Sequence, residues 1–165
     1  MAQRIFKVLR QVAMYLVLLM VISASVDWWR AKDIPKIDLP DLVGTTIQGE
    51  SVNLKVMSKD QPVMLYFWGS WCGVCNFVSP SVDTISEYFP VMTVALSSGS
   101  KLAVTQYLKD NDYHFPVLND PDYKVGSEWA VQVTPSIVVV KNGQVEHIAT
   151  GFVSLFGMWW RMYFA

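Results

Sequence analysis

The sequence predicts an α/β fold in which helices flank a mixed central sheet, with an N-terminal β-hairpin extension and one transmembrane helix ahead of it. Three observations support this prediction. Short β-branched and aromatic runs alternate with helix-patterned segments from residue 63 onward. Asn142-Gly143 separates two strand-like runs, as in an antiparallel hairpin. An uncharged, mostly apolar run occupies residues 11–26.

Composition indicates one globular domain with a short appendage. The chain has 165 residues, of which 52% are hydrophobic, and this suffices for a sizeable core. A formal net charge of -1 gives no reason to expect a nucleic-acid partner. The chain has only 2 cysteines, so its fold does not depend on a disulfide framework.

Residues 1–30 are predicted to form a cytoplasmic tail and a transmembrane signal-anchor. A helix over residues 11–26 would be about 24 Å long, slightly short of a bilayer's hydrocarbon core. Basic residues before the run and tryptophans after it suit the two membrane interfaces: Arg4, Lys7, Arg10, Trp28 and Trp29. Lys and Arg are balanced across the run, so the short leading tail decides the orientation and places the domain in the periplasm. The alternative is a signal peptide cleaved near residues 23–25.

Residues 31–40 contain two prolines and are predicted to be a stiff linker, and residues 41–165 to be the domain. Turn-forming residues within 42–54 predict the β-hairpin. Hydrophobic periodicity predicts the later elements. Strands are expected over residues 63–68, 91–96, 115–118, 136–141 and 144–150, and a turn over 119–122. Helices are expected over residues 73–88, 102–110 and 154–164, with a brief one ending at Trp129.

Two helices carry further expectations. Pro80 lies within the helix over 73–88, and the apolar stripe continues past it, so we expect a kink rather than an end. The last helix is amphipathic and rich in aromatic residues, and we expect it to pack on the sheet. Contact with a membrane is the alternative for that helix.

The predicted chemistry lies at Cys72 and Cys75, where the strand over 63–68 gives way to a helix. Unpaired N–H groups and the helix dipole favour a thiolate there, so the pKa of the Cys72 thiol should be depressed. Cys75, one turn further on, can attack a mixed disulfide formed on Cys72. Cys72 is therefore the predicted attacking cysteine and Cys75 the resolving one. Two alternatives are less favoured. A purely structural disulfide would close a small ring of little entropic effect. A zinc site would need two ligands besides the cysteines, and the only histidines, His114 and His147, lie in no second Cys-X-X-Cys or His-X-His pattern.

The segment Trp68-Gly-Ser-Trp-Cys-Gly-Val-Cys75, followed by Pro80 and by Thr134-Pro135 ahead of a strand, resembles thioredoxin-fold thiol-disulfide oxidoreductases of the TlpA, ResA and DsbE type. With the apolar N-terminal segment, the chain is most similar to the suppressor-of-copper-sensitivity group of Gram-negative bacteria. The resemblance covers residues 37–165. It implies a thioredoxin fold and a redox-active Cys72–Cys75 disulfide, with no other cofactor and no metal.

The resemblance also implies a docking site for partner proteins. The proline that matches Pro135 is cis in this family and lies against the cysteine pair, and it exposes the backbone of Thr134 for strand-like pairing. An ordinary trans proline is the alternative. Trp71 would form an apolar collar beside Cys72.

The chain departs from the family's pattern near the resolving cysteine. Many relatives have a buried acid there, and the matching positions hold Tyr66 and Val78. Water, or an acid elsewhere such as Asp83 or Glu87, is then the expected proton acceptor for Cys75.

The leading hypothesis is a thiol-disulfide oxidoreductase anchored in the bacterial inner membrane and acting on protein thiols or disulfides in the periplasm. The resemblance implies a reductase that receives electrons from a membrane donor of the DsbD or ScsB type and contributes to copper tolerance, although the sequence leaves the direction open. A rival hypothesis is copper(I) binding by Cys72, Cys75 and His147. A peroxidase is less favoured, because Cys72 lacks the Pro-X3-Thr-X2-Cys pattern of those enzymes.

Overall fold

The computed structural model describes residues 33–165 and, ahead of them, residues 6, 7, 10–12, 14, 15, 17, 18, 21, 22, 25, 26 and 29. The chain divides into two compact units, Met1–Lys32 and Asp33–Ala165. The described residues before residue 33 are helical. Among the residues described, no helix combines the length and the apolar character needed to cross a membrane. The predicted transmembrane span over 11–26 lies partly outside the described residues, and Arg4 and Trp28 lie wholly outside them. The transmembrane span therefore stays a prediction.

Seven strands and five helices follow one another in the described domain. The strands are β1 (Val43–Thr45), β2 (Ser51–Asn53), β3 (Val63–Trp68), β4 (Val91–Leu96), β5 (Val117–Asp120), β6 (Ser136–Lys141) and β7 (Gln144–Thr150). The helices are α1 (Leu54–Met57), α2 (Cys75–Ser86), α3 (Lys101–Asn111), α4 (Lys124–Glu128) and α5 (Leu155–Tyr163). β1 and β2 form the predicted N-terminal hairpin.

The central sheet has the strand order β5-β4-β3-β6-β7. β3 pairs parallel with β4 and antiparallel with β6, so the sheet is mixed as predicted. Every residue of β3 and β4 is buried, because both faces of these central strands are covered. Asn142 and Gly143 both have positive φ, at 52° and 71°, as the turn between β6 and β7 requires.

The core lies in two layers, one on each face of the sheet. Successive side chains of β3 point to opposite faces. Tyr66 and Trp68 pack in one layer with residues of α2, α3 and α5, and Leu65 and Phe67 pack in the other with the hairpin and with Trp129. This arrangement is the predicted sheet with helices on both faces.

The structure corrects the prediction for β5. The strand runs to Asp120, where the sequence predicted a turn over residues 119–122. Parallel pairing with β4, which sets Leu96 opposite Asp120, outweighs the local turn preference of these residues. Asp120 is 4% exposed, and its carboxylate accepts the N–H groups of Lys124 and Gly126 in the first turn of α4.

Residues 33–40 pack against the domain, although the sequence predicted a spacer there. Ile34 is 3% exposed in the core layer that contains Phe67. The Lys36 carbonyl accepts the Val145 N–H at 3.2 Å, and the Asp33 carboxylate accepts a bond from the Gln132 amide at 2.7 Å. The chain is therefore attached to the domain from residue 33 onward.

α5 is apolar around most of its circumference. Ser154 caps its first turn by accepting the Gly157 N–H, and Met158 and Met162 are buried in the core. The opposite side exposes several aromatic rings, including Phe156 and Tyr163. The expected packing on the sheet is thus confirmed for one side of this helix.

Candidate active site

The strand register brings the two halves of the predicted site to one end of the sheet. β3 ends at Trp68, and residues 69–74 lead from it to α2. Phe67 pairs with Ser136 at the start of the antiparallel strand β6. Pro135, which precedes Ser136, therefore lies at the end of the sheet from which the chain continues to Cys72.

Cys72 and Cys75 form a disulfide with Cα atoms 5.3 Å apart. Cys75 is the first residue of α2, two positions later than the sequence predicted, because residues 73 and 74 form a turn. The Cys75 N–H donates to the Cys72 sulfur at 3.2 Å. Cys72 keeps 7% of its surface exposed, whereas Cys75 has none. A partner can therefore reach only the first sulfur of this pair, which is also the one that faces a helix N-terminal donor.

The Thr134–Pro135 peptide bond is cis, as the resemblance implied, so the trans alternative is wrong. Pro135 is buried, and its carbonyl accepts the Gly151 N–H at 2.8 Å. The Ser136 hydroxyl donates to the Val133 carbonyl at 2.8 Å. These bonds hold both sides of the proline, and Thr134 stays half-buried at the surface.

Trp71 is held in place and yet 62% exposed. Its indole N–H donates to the Leu96 carbonyl at 3.0 Å. A Cβ at Gly69 would lie 2.6 Å from indole atoms, so the ring can occupy this position only above a glycine. The Ser70 N–H donates to the Ser98 hydroxyl at 3.0 Å and ties the same turn to the end of β4. Trp71 therefore presents a fixed apolar surface next to Cys72.

Three further apolar side chains near the site were missed by the sequence analysis. Val74 and Phe77 are exposed at the start of α2, with 74% of Phe77 accessible. Phe152 is 68% exposed and follows Gly151, the residue that bonds to Pro135. Phe77 lies off the buried stripe of α2, and a large apolar residue off that stripe was the signal available in the sequence.

Two hydroxyl groups lie in the core below the cysteines. The Tyr66 and Ser79 hydroxyls are 3.0 Å apart in a buried hydrogen bond. Burial raises the pKa of Tyr66 well above its usual range, and the bond to Ser79 offsets this only in part. Val78 is apolar and buried, so the two positions at which the resemblance implied an acid hold a hydroxyl, that of Tyr66, and an apolar side chain. Ser79 was not among the residues selected from the sequence.

The positions of Asp83 and Glu87 do not allow either acid to be the proton acceptor for Cys75. Asp83 lies eight positions along α2, which is about 12 Å along the helix axis. Its Oδ1 accepts the backbone N–H groups of His114 at 2.6 Å and Phe115 at 3.0 Å. Glu87 is exposed at the far end of the helix. Asp83 therefore has a structural role, which is to hold α2 against the segment that leads into β5.

Replacing Asp83 with alanine is expected to lower the free energy of unfolding by about 1–3 kcal/mol, because two backbone donors lose their acceptor. Disulfide exchange per folded molecule at neutral pH should be unchanged. Urea unfolding and a reduction assay on the same preparations measure the two quantities. Glu87→Ala is the matched control and should change neither. A large loss of exchange in a fully folded Asp83→Ala protein would contradict the structural role.

The structure does not bring His147 next to Cys72 and Cys75, as the copper hypothesis requires. Thr150 of β7 lies opposite Ser136, near the cysteine end of the sheet, whereas His147 lies opposite Val139, further along the strand. His114 instead lies 3.5 Å from the Asp83 carboxylate. Within the described residues, no group of three or more His, Cys, Asp or Glu side chains could hold a metal ion.

Residues 31–148 match the AhpC/TSA family. A thioredoxin-like protein of Haemophilus influenzae is 38% identical over 150 residues, which cover 88% of this chain and 87% of the relative. The thiol-disulfide oxidoreductase ResA of Bacillus cereus is 30% identical over 113 residues, which cover 66% of this chain and 65% of the relative. The crystal structure of StoA from Bacillus subtilis superposes with a TM-score of 0.67 at 22% identity, covering 77% of this chain and 98% of that one.

The structural likeness shows the thioredoxin-like fold that the sequence implied. The relatives that carry out dithiol/disulfide exchange match the part of the chain that contains the Cys72–Cys75 disulfide. The redox group of such proteins is this disulfide, not a separate cofactor. The chain therefore belongs to the AhpC/TSA family, and it is a thiol-disulfide oxidoreductase.

Proposed function

We propose that the chain reduces disulfides of protein substrates in the periplasm while anchored to the inner membrane, with Cys72 as the attacking and Cys75 as the resolving cysteine. The observation that carries the assignment of roles is the difference between the two sulfurs. Cys72 is partly accessible and accepts an N–H from the start of α2, whereas Cys75 is fully buried behind it. A helix N-terminal donor stabilises a thiolate, so the accessible sulfur is also the better nucleophile.

The reaction balances as two successive exchanges. The Cys72 thiolate attacks one sulfur of a substrate disulfide, and the other substrate sulfur leaves and takes up a proton. Cys75 then loses its proton and attacks the Cys72 sulfur, which releases the second substrate sulfur as a thiol. The substrate gains two electrons and two protons, and Cys72 and Cys75 are left as a disulfide. A dithiol on a membrane donor of the DsbD or ScsB type restores the pair by the same chemistry.

Substrate docking is assigned to Thr134, Pro135 and Trp71. An extended substrate segment would pair with the half-buried backbone of Thr134 as an added strand. Its apolar side chains would contact the exposed rings of Trp71, Phe77 and Phe152. Partly unfolded proteins with wrongly formed disulfides expose such segments, which makes them the expected substrate class.

The membrane anchor and the link to copper rest on the sequence. The uncharged run over residues 11–26 and its basic and aromatic flanks support a signal-anchor. The resemblance to the suppressor-of-copper-sensitivity group suggests that the substrates are proteins whose thiols have been oxidised under copper stress. Resistance of the full chain to alkaline carbonate extraction from membranes would support anchoring, and a shortened soluble form would contradict it. Cells that lack the protein should grow poorly in copper and recover with the parent chain but not with Cys72→Ser.

The direction of electron transfer is tested by trapping thiols in acid-quenched cells and counting alkylated cysteines by mass. The pair should be mostly reduced when the membrane donor is present and oxidised when it is deleted. A pair found mostly oxidised in donor-containing cells would contradict a reductase. Peroxide consumption with a dithiol donor should stay at background, because Leu65 and Gly69 stand where the peroxidase pattern has proline and threonine.

A further inference from the structure

Ser79 lies one helical turn from the resolving cysteine. Cys75 and Ser79 are four positions apart on α2, so their side chains lie on the same face of the helix, and both residues are fully buried. Side chains of a helix lean toward its N-terminus, which directs the Ser79 hydroxyl toward the turn that holds Cys75. Tyr66, on the adjacent strand β3, contacts Ser79 through the 3.0 Å bond between their hydroxyls.

The Tyr66 and Ser79 hydroxyls together carry one hydrogen that is not used in the bond between them. Each hydroxyl carries one hydrogen, and the bond between Tyr66 and Ser79 uses one of the two. No second hydrogen bond of either hydroxyl is present among the described residues. If Tyr66 donates to Ser79, the Ser79 hydrogen is available for a neighbouring acceptor.

Cys75 requires a donor at one step of the reaction. To attack the mixed disulfide it must become a thiolate, and it does so in a core lined by apolar residues such as Val78, Val82 and Ile137. A buried anion without a hydrogen-bond donor is strongly disfavoured. A hydroxyl one turn away can offset that cost without adding a second charge to the core.

Other titratable groups near the pair do not fill this role. The Tyr107 hydroxyl, from α3, donates to the Asn76 side chain at 2.8 Å. Tyr113 stacks on Phe115, and burial raises the pKa of both Tyr107 and Tyr113, so they stay neutral at physiological pH. On α2 itself, Asp83 is bonded to the segment that leads into β5 and lies beside His114.

We propose that Ser79 donates a hydrogen bond to the Cys75 thiolate during resolution and that Tyr66, by donating to Ser79, orients the serine hydroxyl for this contact. Ser79 would contact the reacting sulfur directly, and Tyr66 is a positioning residue that acts through Ser79. The proposal rests on dithiol/disulfide exchange at this pair and is independent of its direction, its substrates and its location in the cell.

The pKa of the Cys75 thiol can be measured without any substrate. The chain has only 2 cysteines, so Cys72→Ala leaves Cys75 as the sole thiol, and the chemical shift of its carbon-13-labelled Cβ against pH reports it alone. In this background Ser79→Ala should raise the pKa of Cys75 by about one unit, as expected for loss of one hydrogen bond to a charged group. Tyr66→Phe should raise it by less, because the serine donor remains. Tyr113→Phe is the matched control and should leave it unchanged.

A double variant separates this role from a purely structural one. Ser79→Ala leaves the buried Tyr66 hydroxyl without its partner and should destabilise the fold, whereas adding Tyr66→Phe removes the unpaired group and should restore stability. The pKa of Cys75 should nevertheless stay raised in the double variant. In proteins that retain Cys72, resolution of a mixed disulfide at neutral pH should slow about threefold with Ser79→Ala, because the smaller thiolate fraction is partly offset by the higher nucleophilicity of a more basic thiolate.

An unchanged pKa of Cys75 in Ser79→Ala would overturn the proposal. The proposal would also be overturned if Tyr66→Phe raised the pKa of Cys75 as much as Ser79→Ala does, because Ser79 would then not be the direct donor. An equal increase in Tyr113→Phe would show that the pKa follows any loss of a tyrosine hydroxyl. None of these results bears on whether the protein reduces or oxidises its substrates.

Discussion

Cys72→Ser is expected to abolish disulfide exchange, and Cys75→Ser to leave the protein joined to its partner as a mixed disulfide. The two results differ because the sulfurs differ in access. Cys72 is the sulfur that a partner can reach, and without it no bond to the substrate forms. Without Cys75, the first exchange still occurs but nothing within the protein displaces the substrate. Loss of turnover should be complete in both variants, beyond about a thousandfold.

Non-reducing gel electrophoresis and mass spectrometry of acid-quenched samples distinguish the two variants. The Cys75→Ser protein should accumulate as an adduct that is cleaved by dithiothreitol, and the Cys72→Ser protein should remain free. Thr84→Ala, at an exposed position on α2, provides a control that keeps both sulfurs, and it should retain exchange. Adducts that form on Cys75 in the Cys72→Ser protein, at the rate seen for the parent, would show that the assignment is reversed.

The parts of the fold that were predictable from sequence depend on local chemistry. β3 was predictable because six consecutive apolar residues follow a proline, and the β6–β7 turn because Asn142-Gly143 accepts positive φ at both positions. The cysteine motif predicted the strand-to-helix junction in the same way. The bounds of α2 were misplaced by two residues at each end, and helix ends are the least certain part of such predictions.

The features that were not predictable depend on contacts between distant residues. Asn119 and Asp120 have turn-forming side chains, yet pairing with β4 makes them part of a strand. Ile34 lies in a proline-containing segment, and only its place in the core layer with Phe67 shows that the segment is packed. The Tyr66–Ser79 bond joins a strand to a helix across 13 positions, and no local pattern marks it. The candidate site was therefore predictable in its sulfur chemistry but not in the groups that surround Cys75.

Trp68→Ala is expected to have the largest effect on stability, lowering the free energy of unfolding by about 3–5 kcal/mol. Trp68 is fully buried at the end of β3, directly before the active-site turn. Its ring stacks on Tyr107 at 5.3 Å and meets the edge of Phe115 at 5.9 Å. Removing it would leave a large cavity, and Tyr107 and Phe115 would each keep only their ring contacts with other aromatic residues such as Tyr113. A loss of this size is a large share of the total stability of a small domain.

Trp68→Phe separates the contribution of the aromatic ring to stability from that of the indole N–H. The indole N–H donates to the Thr93 hydroxyl at 3.1 Å, and that hydroxyl donates to the Pro116 carbonyl, so Thr93 keeps a partner when the indole is lost. The phenylalanine variant should therefore lose only about 1–2 kcal/mol, from the smaller ring and the lost hydrogen bond.

Urea unfolding of oxidised and reduced protein measures these differences, with Trp160→Ala as the matched control. Trp160 is 54% exposed on α5, so its removal should change the free energy of unfolding by less than about 0.5 kcal/mol. Trp68→Ala should also slow exchange in the fraction that stays folded, because Trp68 anchors the strand from which the Cys72 turn departs. A loss no greater than that of Trp160→Ala would mean that the layer around Tyr107 and Phe115 does not support this end of the sheet.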